Sequence, residues 1–258
     1  MQYSQNNIIN LVNDMAKRSQ SQSRYERKSK INVGQSNFFK GVFNLLGFYK
    51  CYEKRKISSI YFDDYNYSFA QSNINGDFYR LKPRIRWYND NFDNSNFEFK
   101  YKLGFNGFKS KDNSLDQTNL NFEDKLDFTR KKLLSNYNLN LFLCANVIYQ
   151  REYFRHSSGI RLTFDKEISC SLINFDQNKY EFKQKHIKLP FEVLEFKYPF
   201  MLDNTFREEI FPKLQDFPIR LTKCSKYAES IIALNTLWES YFIYFFKLVT
   251  RSYNTTKS

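Results

Sequence analysis

The sequence predicts an α+β fold: an antiparallel β-sheet that can close into a barrel, helices packed around its outside, and a long helix at the C-terminal end. Three observations carry this. A series of segments rich in aromatic and β-branched residues alternates in polarity, the period-2 signature of strands. Segments of helical period lie at the edges of that series. The long charged side chains of the strands fall repeatedly on one parity, so one face of the sheet is charged and the other apolar. With 258 residues, 41% apolar and 19% aromatic, the chain can bury a core of that size as one unit. Residues 1–258 are accordingly read as a single domain, with an N-terminal helix in 1–20, the sheet region over 24–227 and a C-terminal helix over 225–250.

In order along the chain, residues 5–17 place Ile8, Leu11, Val12 and Met15 on one helical face. RYERKSKI (24–31) reads as a charged strand. A second helix follows Ser36, read as its N-cap, with Phe39, Val42, Phe43 and Leu46 on one face and Gly47 as the stop. ISSIYFDD (57–64), FYRLKPRIRWY (78–88) and NFEFKYKLGF (96–105) read as strands. Residues 110–123 are polar and loop-like, and 126–137 suggest a helix. ANVIYQREYF (145–154) and GIRLTFDKEISC (159–170) form a strand pair joined through 156–159, and FEVLEFKYP (191–199) is a strand ended by Pro199. Residues 206–214 are short and helical, and 225–249 are the longest helix candidate. The Asn-rich patches at 89–96 and 135–140 read as loops. No period of 20–50 residues recurs, which excludes solenoids and propellers.

Lys+Arg number 40 and Asp+Glu 27, a formal charge of +13. That surplus points to a polyanionic partner: nucleic acid, an acidic membrane surface or phosphates. Seven glycines and five prolines fall well below the usual share of about 12%, which argues against Gly-rich nucleotide loops and long linkers. Cys51, Cys144, Cys170 and Cys224 form no C-x-x-C pair, so neither a disulfide framework nor zinc spacing is readable. His156 and His186 alone disfavour His-ligated zinc and triads that rest on an imidazole. The N-terminal segment lacks an apolar run of signal-peptide type. Asn235, Glu239 and Lys247 make 231–250 costly as a membrane span. Reduced thiols and no export signal lead to the expectation of a cytoplasmic protein without a transmembrane segment, association with a membrane partner staying open. No recognition-helix, zinc-finger, RRM or OB signature supports nucleic acid as the partner.

The strand parities sharpen the question. Glu26, Lys28 and Lys30 share a face, as do Arg80, Lys82, Arg84 and Arg86 if the strand stays regular through Pro83, which would suit an edge or a bulge. Glu98, Lys100 and Lys102 form another set, opposite Phe97, Phe99 and Tyr101. Tyr149, Arg151 and Tyr153, then Arg161, Thr163 and Asp165, then Glu195 and Lys197 complete the series. Each set can be an ordinary solvent face of an antiparallel strand. Together they can also line a barrel with charges inward, a basic tunnel that needs anions because crowded like charges disfavour one another's ionised forms. Parity leaves both readings open.

Taken in order, these motifs resemble the polyphosphate-polymerase (vacuolar transporter chaperone, VTC) domain of the CYTH-like triphosphate tunnel superfamily, from about Arg24 to about Tyr227. YERKSKI resembles the opening strand, SIYFDD the S-x-Y-F-D-T element with Asp64 in place of Thr, and PRIRWY the R-x-R-x-Y strand. FEFKYK resembles the E-x-K strand, YQREYF the Y-x-R strand and RLTFD the R-I-T-x-D strand, with VLEFK and KCSKY completing the order. Hydrolytic tunnel enzymes open with Glu-x-Glu-x-Lys. Here the frame reads Arg24-x-Glu26-x-Lys28, a cation for an acid, which agrees with the polymerase branch.

The resemblance implies a closed tunnel barrel and ATP-dependent polyphosphate synthesis. The γ-phosphoryl of ATP would pass to the end of a polyphosphate or pyrophosphate chain, releasing ADP. Arg84, Arg86, Arg151, Arg161 and Lys28 are the implied catalytic cations, the guanidinium groups offering planar forks to phosphate oxygens. Lys30, Lys82, Lys100, Lys102, Lys197, Lys223 and Lys226 are implied to hold the phosphate chain. Glu195 is the implied ligand of Mn²⁺ or Mg²⁺, with Glu26 and Glu98 either secondary ligands or ion-pair spacers between lysines. A phosphate oxygen is already ionised at neutral pH, so this transfer needs positioning and charge neutralisation rather than a His or Ser base. Asp63 and Asp64 are expected in a turn outside the tunnel, and Tyr88 and Tyr149 either in the core or against the nucleotide, the core being favoured. A non-catalytic polyphosphate-binding tunnel and a tunnel triphosphatase are the alternatives. The terminal helix is expected to plug the tunnel, cover its outside or form an oligomer face.

Overall fold

The structure, a computed structural model, describes residues 5–18, 24–104, 106–111, 120–176, 179–182 and 186–236. The elements are α1 (Gln5–Arg18), β1 (Arg24–Ile31), α2 (Ser36–Leu45), β2 (Phe48–Asp63), α3 (Ser68–Asn75), β3 (Tyr79–Tyr88), β4 (Asn91–Leu103) and β5 (Asn106–Lys111). They continue with α4 (Phe122–Tyr137), β6 (Phe142–His156), β7 (Arg161–Ser171), β8 (Ile173–Asp176), β9 (Lys179–Phe182), β10 (Ile187–Lys188) and β11 (Glu192–Pro199). Short helical turns follow over 200–214, and 226–236 are helical. The fold is α+β, as predicted.

One large sheet orders its strands β1-β11-β7-β6-β2-β3-β4-β5, with β10 pairing β7, and every ladder is antiparallel. The strand parities hold. Phe97, Phe99 and Tyr101 of β4 are buried on the outer face with Val12 and Met15 of α1 and Leu126 and Leu133 of α4. Leu162, Phe164, Leu194, Phe196 and Tyr198 are buried beneath α2 and the 200–214 turns. Phe43 of α2 meets Phe48, Phe164 and Phe196 edge-on at 5.4–6.0 Å between ring centroids. Each such aromatic contributes roughly 1.5–3 kcal/mol by leaving water, so the charged parity is left to face inward.

The closed barrel is corrected: among the described residues the sheet is not closed by hydrogen bonds, since β1 and β5 end the strand order. Side chains bridge the gap instead, with Lys100 Nζ of β4 on Glu26 Oε2 of β1 at 2.8 Å. Lys100 thus reaches from β4, inside edge strand β5, to the other edge strand.

Local sequence explains several boundaries. Asn89 and Asp90 both take positive φ (51° and 61°), as the two-residue hairpin between β3 and β4 requires. The rest of the first Asn-rich patch, read as loop, is strand. Pro83 lies just past the β2 ladder, which stops at Arg84, so β4 alone neighbours it and its missing N–H costs no bond. Helix α2 starts at Ser36, but Gln35 holds the N-cap position without a side-chain bond. The Ser36 N–H donates instead to Glu192. Residues 106–111 are strand β5, α3 was not foreseen, and β2 begins well before 57. The terminal helix is seen over 226–236; its predicted continuation to 250 lies outside the described residues.

Candidate functional site: a cationic tunnel

The inward parities of β1, β2, β3, β4, β6 and β11 converge on one cavity of about 220 Å³. Its lining holds Glu26, Lys28, Lys82, Arg84, Arg86, Lys100, Arg151, Glu195, Lys197 and Lys226 from the predicted set, with Arg24 and Lys109 added. A second cavity of about 750 Å³ shares Glu26, Lys28, Lys82, Lys100 and Ser225 with the first, making one path, and adds Lys102 and Lys223. Three predicted residues fall elsewhere. Arg161 is exposed at the rim, and Lys30 turns to Glu229 (2.5 Å) and over the Phe191 ring. Glu98 lies behind Arg84, out of the lining.

The cations divide by their partners. Arg84, 7% exposed, donates twice to Glu98 Oε2 (3.1 and 2.7 Å) and to the Tyr61 hydroxyl at 3.2 Å. Arg151 lies bidentate on Asp165 at 2.5 and 2.7 Å, over the face of Tyr149. Lys226 also pairs with Asp165. Arg86, 8% exposed, has no carboxylate among the described residues; it donates to Ser59 Oγ at 3.0 Å and to the Tyr149 hydroxyl at 3.3 Å. Lys82 reaches only Ser225 Oγ, at 2.9 Å. Arg86, buried, and Lys82, half-buried, are therefore cations held by neutral groups, a costly arrangement unless an anion completes it.

Electrostatics follow the same division. Burial pulls the Lys28 ammonium down, but Glu195 and Glu26 outweigh it and hold it above its ordinary value. Burial, then Lys28 and Lys100, push Lys82 well below the usual lysine range. Lys102 is pushed down to about 8 by burial and by Lys100. Burial would raise Glu98, but Arg84, Arg86 and Lys109 bring it to about 2. Glu195 and Glu26 are likewise held far below the carboxylate range by the surrounding lysines, against their burial.

The donors for a divalent cation are sparse: no group of three His, Cys, Asp or Glu residues is placed to hold a metal among the described residues. Glu98 has both oxygens engaged, Oε2 by Arg84 and Oε1 by Lys109 at 2.5 Å. Glu195 differs. Its buried Oε1 has no hydrogen-bond partner, with Lys28 Nζ 3.5 Å away. That fits a Mg²⁺- or Mn²⁺-like ion held by one or two carboxylates and otherwise by phosphate and water oxygens.

Sequence reasoning put Asp165 on the charged parity without giving it a role, and missed Ser59, Tyr61, Lys109 and Ser225. Asp165, Ser59 and Tyr61 share the inward parity of their strands and were legible in it. Tyr149, read as core, is buried in the cluster against which Tyr88 packs, and both also line the cavity. Asp63, expected in a turn, is the last residue of β2, and Asp64 opens the β2–α3 turn; neither lines the first cavity. Asp63 accepts from the N–H groups of Asp64, Phe69 and Ala70 and from the Tyr227 hydroxyl, and Asp64 accepts from Asn66 and Ser68.

A sheet curled around a lumen lined by ten basic and two acidic side chains defines a polyanion-binding tunnel protein. The chain belongs to the VTC domain family, whose profile matches residues 4–235. Among solved structures, HpAC1 of Hippeastrum, described as a candidate adenylyl cyclase with a dominant triphosphatase activity, is similar. It shares 12% identity at a TM-score of 0.50, over 82% of this chain and 96% of that one. A candidate adenylate cyclase of Vibrio parahaemolyticus matches at 13% identity and a TM-score of 0.47, over 81% and 98%. At such identity the Hippeastrum likeness is one of fold. No curated protein matches the chain. No helix among the described residues is long and apolar enough to cross a membrane.

Proposed function

We propose that the protein is an ATP-dependent polyphosphate polymerase that moves the γ-phosphoryl of ATP onto the end of a phosphate chain inside the tunnel and releases ADP. The observation that carries this reading is the pair of lumen cations that meet no carboxylate among the described residues, buried Arg86 and half-buried Lys82, in a VTC-family chain. A phosphate chain supplies the negative charge they lack, and supplies it in line along the path of the two cavities.

In this reading Arg84, Arg86 and Arg151 stabilise charge on the transferring phosphoryl group. Glu98 and Asp165 fix the forks of Arg84 and Arg151 in advance, so little reorganisation remains during transfer. Lys28, Lys82, Lys100, Lys197 and Lys226 hold the chain, and Lys102 and Lys223 extend its path. The attacking oxygen of the chain is ionised at neutral pH, so no protein base enters the step. Glu195, with Glu26 beside it, would hold a divalent ion, and such an ion neutralises phosphate oxygens. Arg161, at the rim, guides the chain rather than touching the transferred group.

The test is incubation of the protein with ATP, Mn²⁺ or Mg²⁺ and a pyrophosphate primer. Polymer on a gel and ADP in equal molar amounts of transferred phosphate are expected, and Arg86→Ala should lower both about 10²–10³-fold. Free phosphate without polymer would instead assign hydrolysis, and tight polyphosphate binding without ADP would assign a binding module.

A further inference from the structure

At the Arg24 end, the inward face of the sheet continues past the enclosed lumen. On β6, Arg151, Tyr153 and Arg155 alternate inward, while Phe154 between them is core. Arg155 lies directly opposite Arg161 on β7, and Arg161 directly opposite Lys197 on β11. Like charges facing one another across a ladder destabilise it. No acid relieves them: among the described residues Arg55, Arg155 and Arg161 form no ion pair. The neighbouring Glu152 turns to the other face, to Lys40 at 2.7 Å and Lys166 at 3.0 Å. Arg55, exposed on β2 opposite Arg151, places its guanidinium 5.9 Å over the Tyr153 ring, on the same face. Burial first, then Arg24 and Arg155, pull the Arg161 guanidinium below its ordinary value, so these groups feel one another.

We propose that the face formed by Arg55, Arg155 and Arg161 is a second anion-binding site, outside the enclosed tunnel, that takes the protruding segment of a linear polyphosphate chain. The inference rests on the reading that the tunnel itself holds a phosphate chain. Register makes the two sites continuous, because Arg161 adjoins Lys197, which lines the lumen. The occupant is a bare phosphate chain rather than a nucleic acid. The lumen it leads into carries ten basic and two acidic side chains, a lining matched to a ligand charged at every unit. Tyr52 and Tyr153 also meet edge-on, at 88° between ring planes, instead of offering parallel platforms for stacking.

The test reads binding alone, by calorimetry in chelator without ATP, using tripolyphosphate and polyphosphate several tens of units long. Arg55→Ala/Arg155→Ala should weaken the long chain about tenfold, the scale of two lost charge-assisted contacts, and leave tripolyphosphate unchanged. Arg55→Lys/Arg155→Lys should recover most of the loss. Equal loss on both ligands, or on neither, would overturn the proposal. So would wild-type protein that binds a single-stranded oligonucleotide as tightly as long polyphosphate and loses both alike in the alanine pair. If wild-type protein binds neither phosphate ligand, the tunnel reading falls and this inference with it. A failure to polymerise ATP, by contrast, leaves the binding comparison intact.

Discussion

Arg84 and Arg86 are two residues apart on one strand face, yet their surroundings predict opposite consequences for the same substitution. Arg84→Ala leaves Glu98 buried with Lys109 as its remaining ion-pair partner, and removing half of such a pair typically costs about 3–5 kcal/mol. A clear drop in melting temperature is expected with the loss of activity. Arg86→Ala removes a buried charge that makes no direct ion pair among the described residues and acts on Glu98 only from a distance. Its melting temperature should hold or rise while turnover falls about 10²–10³-fold, the scale of one lost transition-state donor. Calorimetry and an ADP-release assay on the two variants check the contrast. Lys102 sets a pH dependence. Its folded pKa of about 8 lies below the unfolded value of about 10.4, so the unfolded chain binds more protons between them. Stability without ligand should therefore rise with pH across that window. Polyphosphate prefers the charged ammonium, so its affinity should fall as pH rises through about 8, and Lys102→Met should flatten that slope.

At the scale of elements, the C-terminal helix joins the tunnel wall through consecutive residues. Ser225 accepts from Lys82, Lys226 pairs with Asp165, and Tyr227 donates its hydroxyl to Asp63 and stacks on Tyr61 at 4.6 Å. Tyr227→Phe leaves the buried Asp63 carboxylate one donor short and should cost about 1–3 kcal/mol, measurable by urea denaturation. Most strands were legible because charge and aromatic residue alternate within each, as in Phe97 to Lys102. Strand β5 was not, because Gly107 and its polar neighbours carry no apolar alternation; pairing with β4 makes it a strand. The first half of β2 is exposed and irregular, and β6 holds it. Ion-pair partners were hidden for a related reason. Lys28 meets Glu195 through β1–β11 register, and Arg84 meets Glu98 through β3–β4 register, and local sequence does not fix registers between strands. The hydrogen-bonded closure expected of the barrel failed at this scale too: β1 and β5 stay edge strands, and Lys100 of β4 reaches Glu26 of β1 by its side chain.

For the whole molecule, the lumen holds ten basic and two acidic side chains, a large local share of a chain whose formal charge is +13, and composition alone does not show that placement. Outer-face aromatics bury themselves under α1, α2 and α4 and so force the cationic parity inward, making the fold and the site consequences of one alternation. The central claim is that this lumen builds a phosphate chain. Following γ-labelled and α-labelled ATP in parallel, with Mn²⁺ and a pyrophosphate primer, tests it most directly. The account predicts that the γ label enters a long, gel-resolved polymer while the α label stays in ADP. Release of the γ label as free phosphate with no labelled polymer would contradict it.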